Sequence, residues 1–126
     1  MTAHPVGDFH PVPTRPGTRA RDLIATQHGV TSFFVSELLM EEGASVPLHT
    51  HPIEEAWVVT DGALTVQIGD QTVIAEAEST VRVPPNVPHA VRNDGPDPAR
   101  ALAAAPWSRA TFFTEATTYL EGQPRE

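Results

Sequence analysis

The chain has no cysteine and no lysine. Without thiols there are no disulfides, no thiolate nucleophiles and no sulfur ligands for a metal, and without lysine there is no Schiff-base chemistry. Positive charge is scarce: eight arginines, in no basic run, leave a formal net charge of −8. That balance suits neither a phosphate backbone nor an anionic membrane surface, so nucleic-acid and membrane partners are not expected. No apolar stretch approaches the roughly 20 residues that span a bilayer, and residues 1–22 lack the basic-then-apolar order of a signal peptide. A cytoplasmic location is the default expectation. The chemistry left to the chain is that of histidine, carboxylates, hydroxyls or a bound metal.

At 126 residues and 40% hydrophobic content, the chain can bury one sizeable core. Thirteen prolines and eight glycines favour many short segments joined by turns, which points to an all-β fold. Residues 1–29 are rich in Pro and Arg without clear periodicity and read either as an extended N-terminal arm that orders only against the domain or a partner subunit, or as a floppy tail. "VTSFFVSELLM" (Val30–Met40) has strand composition, and a turn follows at "EEGAS". The next strand is expected over Leu48–Thr60, closed by Asp61-Gly62 as a tight hairpin into "ALTVQIG", where Leu64, Val66 and Ile68 alternate with Thr65 and Gln67. "QTVIAEA", "STVRVP", "HAVRN" and "RALAAA" are further short segments bounded by turn residues, and "SRATFFTEATTYLEG" reads as a short helix or a last strand. Seven or so strands at this spacing suggest a sandwich or small barrel.

Within this pattern, "HTHPIEE" crowds two of the six histidines and two glutamates into residues 49–55. Strand side chains alternate between faces, so His49, His51, Ile53, Glu55, Trp57 and Val59 share one, while Glu54 falls on the other. Imidazoles two residues apart can lean onto one ion, with the Glu55 carboxylate adding an oxygen ligand. The same parity in "HAVRN" groups His89, Val91 and Asn93, which makes His89 the natural fourth ligand. His4, His10 and His28 share no such pattern and read as solvent-facing. Trp57 reads as core or as a pocket wall.

These residues resemble the two motifs of the cupin family. Gly43, His49, His51, Glu55 and Gly62 fill every place of the first, and Pro84, His89 and Asn93 stand at the spacing of the second. Two family glycines are replaced, by Glu78 and Asn86. Asn adopts a left-handed turn more readily than other non-glycine residues, so the Asn86 change is mild, whereas Glu78 is expected to alter a turn. The resemblance implies a small antiparallel β-barrel (jelly roll) over residues 30–105, with 106–126 as a C-terminal tail, a divalent transition metal on His49, His51, Glu55 and His89, and a homodimer that the arm could help to build.

Three imidazoles and a carboxylate suit Fe, Mn, Ni, Co, Cu or Zn. Four ligands on a six-coordinate ion leave positions for substrate, and Glu55 could also act as a base. Trp57, Val59, Leu64, Val66, Ile68, Val91 and Asn93 are the expected pocket residues, with Phe33 or Phe34 joining. Arg82 and Arg92 alternate with buried valines, so no arginine is expected inside and phosphorylated substrates are disfavoured. The expected substrate is a small, largely apolar aromatic, polyketide- or flavonoid-like molecule bearing neighbouring oxygens. A dioxygenase is the first functional expectation, a metal-assisted cyclase or isomerase the second, and a non-catalytic binding module the third.

Overall fold

The computed structural model describes residues 3–108, 111–112 and 117–120. Its strands are β1 (His10–Pro11), β2 (Thr18–Ile24), β3 (Phe33–Met40), β4 (Ser45–Thr50), β5 (Glu55–Asp61), β6 (Ala63–Ile68), β7 (Gln71–Glu76), β8 (Ser79–Val83), β9 (His89–Arg92), β10 (Ala99–Pro106) and β11 (Thr118–Tyr119). They form two antiparallel sheets, ordered β1-β2-β3-β10-β5-β8 and β11-β4-β9-β6-β7. The chain is all-β, as its proline and glycine content implied.

Both sheets feed one core. Trp57, Val59, Val81, Val83, Ala99, Ala101 and Ala103 come from the first sheet, and Leu64, Val66, Ala75 and Val91 from the second. Burying each of the larger aliphatic side chains contributes about 1.5–3 kcal/mol. Strand β10 buries every second residue, Ala99, Ala101, Ala103 and Ala105, and these small side chains let the chain pass close beside it.

Two expectations are corrected. The single strand over Leu48–Thr60 is two strands in different sheets, β4 and β5, with His51 to Glu54 turning the corner between them. Asp61-Gly62 is no hairpin, because β5 pairs with β8 and β10 while β6 pairs with β7 and β9. It is a second corner. Gly62 has φ +70°, and a Cβ there would stand 2.7 Å from the Pro98 carbonyl oxygen, so the chain crosses between sheets only because that position is glycine. Residues 18–24 of the Pro/Arg-rich segment form a full strand, β2, paired with β3. Its alternation is real but written in unexpected residues: Thr18 and Ala20 are buried while Arg19 is exposed. Arg21 also ties β2 to β3, with Nη2 and Nε each 2.6 Å from the buried Glu37 carboxylate.

The two replaced family glycines both keep the left-handed backbone, Glu78 at φ 70° and Asn86 at φ 62°. Their N–H groups donate to Val59 O (2.7 Å) and His51 O (2.6 Å). These bonds hold both turns in the left-handed conformation despite the side chains. None of the described helices is long and apolar enough to cross a membrane.

Candidate metal centre

At one end of the barrel His49 from β4, His89 from β9 and His51 from the corner after β4 converge, and their ligand-capable atoms lie within 4.8 Å of one another. All three are 3% exposed or less. His49 and His89 sit directly opposite each other in the β4–β9 pair, with ring centroids 4.1 Å apart.

Each ring is oriented by its Nδ1. In His49 and His89 this atom lies 2.7 Å from Pro47 O and 2.9 Å from Val87 O, so it carries the proton and donates. For His51 the partner is Thr117 Oγ1 at 2.7 Å, and that hydroxyl gives its own hydrogen to Phe112 O at 2.6 Å. The hydroxyl can only accept from His51. All three tautomers therefore present Nε2 as the free-electron-pair nitrogen, the form a metal requires. Phe112 also stacks on the His51 ring at 4.0 Å.

Glu55, 2% exposed, faces this cluster from the start of β5, with Oε1 3.7 Å from His51 Nε2 and 3.6 Å from His89 Nε2. These separations are too long for hydrogen bonds. Two ligands each about 2.1 Å from one ion stand roughly 3 to 3.5 Å apart, close to what is seen. Glu55 Oε1 and His89 Nε2 are buried with no hydrogen-bond partner among the described residues, an arrangement that costs stability unless a cation sits between them. The donor set thus fits a metal ion. Burial first and repulsion by the neighbouring His89 ring second lower the His49 pKa to about 3, with a raising hydrogen bond to Pro47 O and a smaller lowering by Arg15; burial, His49 and His89 lower His51 to about 3. Both rings stay neutral at ordinary pH and do not compete with a cation.

A cavity of about 30 Å³ adjoins the cluster, with His49, Glu55, Trp57 and Val91 in its wall. Of the expected pocket residues, Trp57 and Val91 line it. Val59, Leu64 and Val66 pack into the dry core, with Ile68 packed partly buried against them. Asn93 is a structural clasp: its Nδ2 donates to Met40 O and Asp97 O, both at 2.9 Å, and its Oδ1 accepts from Gly95 N–H at 3.0 Å. Phe34 is buried in a second cluster with Ala105 and Phe112, and Phe33 is exposed. His4 and His10 are exposed and His28 is half-buried, its Nδ1 accepting from Ala25 N–H.

Arg82 and Arg92 point outward onto Glu54 and Asp94, but an arginine does reach the cavity. Arg15, 4% exposed, lines it together with Val12, from the turn between β1 and β2, and Thr18. Its guanidinium lies 4.9 Å from the Tyr119 ring, and that ring stands 5.3 Å from His49. Arg15, Thr18, Thr117 and Tyr119 were not legible as site residues. The alternation in "TRAR" could have placed Thr18 inward; nothing local marks the other three.

A family model described as "Cupin domain" matches residues 36–105. The "Polyketide synthase CurC" of Streptomyces cyaneus is 30% identical over 98 residues, 77% of this chain and 64% of that protein, so the chain spans just under two thirds of its relative. Among solved structures, the polyketide cyclase RemF from Streptomyces resistomycificus superposes with a TM-score of 0.74 at 24% identity, covering 88% of this chain and 78% of that one. An RmlC-like cupin from Shewanella frigidimarina gives 0.69 at 16% identity, covering 81% and 85%. Bacillus subtilis oxalate decarboxylase, described with Mn(II) centres, gives 0.70 at 22%, covering 82% and 28%. Motif, topology and family match agree, and the chain belongs to the cupin family.

Proposed function

We propose that this cupin is a metal-dependent enzyme that closes rings in a polyketide-like substrate, with His49, His51, His89 and Glu55 as ligands of a divalent transition metal. The observation that carries the reading is the convergence of three tautomer-fixed imidazoles on a carboxylate oxygen with no hydrogen-bond partner among the described residues, at the wall of a mostly apolar cavity. The polyketide names of the CurC and RemF relatives point to the substrate class. A divalent ion there would act as a Lewis acid toward a ketone or enol oxygen, making the adjacent carbon acidic. Glu55 is the carboxylate positioned to take that proton, Leu38, Val46, Trp57 and Val91 keep water from the reacting end, and the new carbon–carbon bond to an internal carbonyl is followed by loss of water. Oxygenation would use the same residues and is separated from cyclisation by one quantity, the oxygen consumed.

The test begins with elemental analysis of untagged protein beside His49→Ala and His89→Ala. Stoichiometric metal, lost in both variants, is expected. Incubating the loaded enzyme with a poly-β-ketone thioester on an oxygen electrode then decides the reaction: ring closure without oxygen uptake supports a cyclase, and uptake equal to product formed moves the assignment to a dioxygenase. Absence of metal after reconstitution would overturn both.

A further inference from the structure

Besides Glu55 Oε1, two polar side-chain atoms in the cavity wall, Thr18 Oγ1 on β2 and Trp57 Nε1 on β5, have no hydrogen-bond partner among the described residues. The residues are 3% and 5% exposed, so water does not satisfy them from the surface. They lie in the same six-stranded sheet, separated by β3 and β10, and line the same cavity as His49 and Glu55. Packing alone explains neither polar atom. Valine has the shape of threonine, phenylalanine supplies a buried aromatic face, and neither leaves a donor without an acceptor, which is a cost to the fold.

We propose that Thr18 and Trp57 each donate a hydrogen bond to an oxygen of the substrate in this cavity, and that the acceptor is an enolised β-dicarbonyl or a carboxylate. The inference rests on the reading of the cavity as a substrate site and deepens it. A neutral indole N–H and a hydroxyl both bind an oxygen acceptor more strongly when it carries charge. Arg15 on the same wall adds a positive potential that favours an anionic acceptor. Glu55, the acid that lines the cavity, faces His51 and His89. Two donors at separate points of the wall give the chain a means of orienting its substrate that does not depend on the metal ligands.

Acetylacetone and acetate are the probes, titrated by calorimetry into the wild-type, Thr18→Val and Trp57→Phe proteins, with melting temperature and metal content measured on each. Both variants are expected to keep the wild-type metal content and to bind the probe about tenfold more weakly, Thr18→Val melting no lower than wild type and Trp57→Phe melting lower because it leaves a core cavity. Stronger wild-type binding of acetylacetone identifies the oxygen as an enolate, and stronger binding of acetate identifies a carboxylate. Variants that melt lower yet bind the probe like wild type would make the two residues structural and overturn the proposal, as would a wild-type protein that binds neither probe. A wild type that takes up no metal sinks the metal reading alone, because the donors are still tested by the same titrations on metal-free protein.

Discussion

Strand β5 runs between two unlike ends of one barrel. At one, Val59 packs with Leu64, Val66 and Met40, all apolar; at the other, Glu55 faces His51 and His89, and Glu55 Oε1, Trp57 Nε1 and His89 Nε2 have no hydrogen-bond partner among the described residues. The first end stabilises the fold by burying apolar area, and the second leaves free energy unrealised until an ion and a ligand arrive. Cross-strand pairing carries the contrast across the sheets, since Val46 and His49 in β4 face Val91 and His89 in β9. A rigid apolar end holds the rings of the other within ligating distance of one another.

The sharpest way to break the contrast is to remove a ligand. His89→Ala should weaken metal binding by more than about a hundredfold, read by competition with a coloured chelator, while the circular dichroism of the strands is retained. Acid should come next. His49 and His51 titrate near 3 when folded and near 6.5 when unfolded, so the unfolded chain binds more protons between those values and stability falls as pH drops through that window. Urea melts of metal-free protein at stepped pH check this; midpoints flat between pH 6.5 and 4 would contradict it. At the apolar end, Leu64→Ala should cost about 3 kcal/mol in the same melts, with metal stoichiometry unchanged in the folded protein. The smallest effect is expected from Thr117→Val, which removes the acceptor that fixes the His51 tautomer. It should lower metal affinity roughly tenfold to a hundredfold and cost about 1–3 kcal/mol in the urea melts, because His51 Nδ1 and Phe112 O both lose their buried partner.

The ligand cluster was legible because its spacing is local: His49, His51 and Glu55 fall within seven residues, and His89 stands at a motif distance from Asn93. The parity argument grouped these residues for an incomplete reason. A continuous strand was expected, whereas the corner at residues 51–54 sends Glu55 into the other sheet and lets it face the rings from across the barrel. Asn93 shared the inward face with His89, but its amide clasps three backbone groups of neighbouring turns. Side-chain direction follows from alternation; the use of a polar side chain depends on which carbonyls the tertiary fold brings near it.

By itself the sequence determined the all-β class, the histidine and carboxylate set, and the exclusion of thiol and amine chemistry, since composition and short-range spacing survive any folding. Only the tertiary structure decided that Asp61-Gly62 is a corner, that Arg15 and Tyr119 cover the site, and that Thr117 fixes a tautomer. Those contacts join residues far apart in the chain, such as Thr117 and His51, and no local periodicity encodes them.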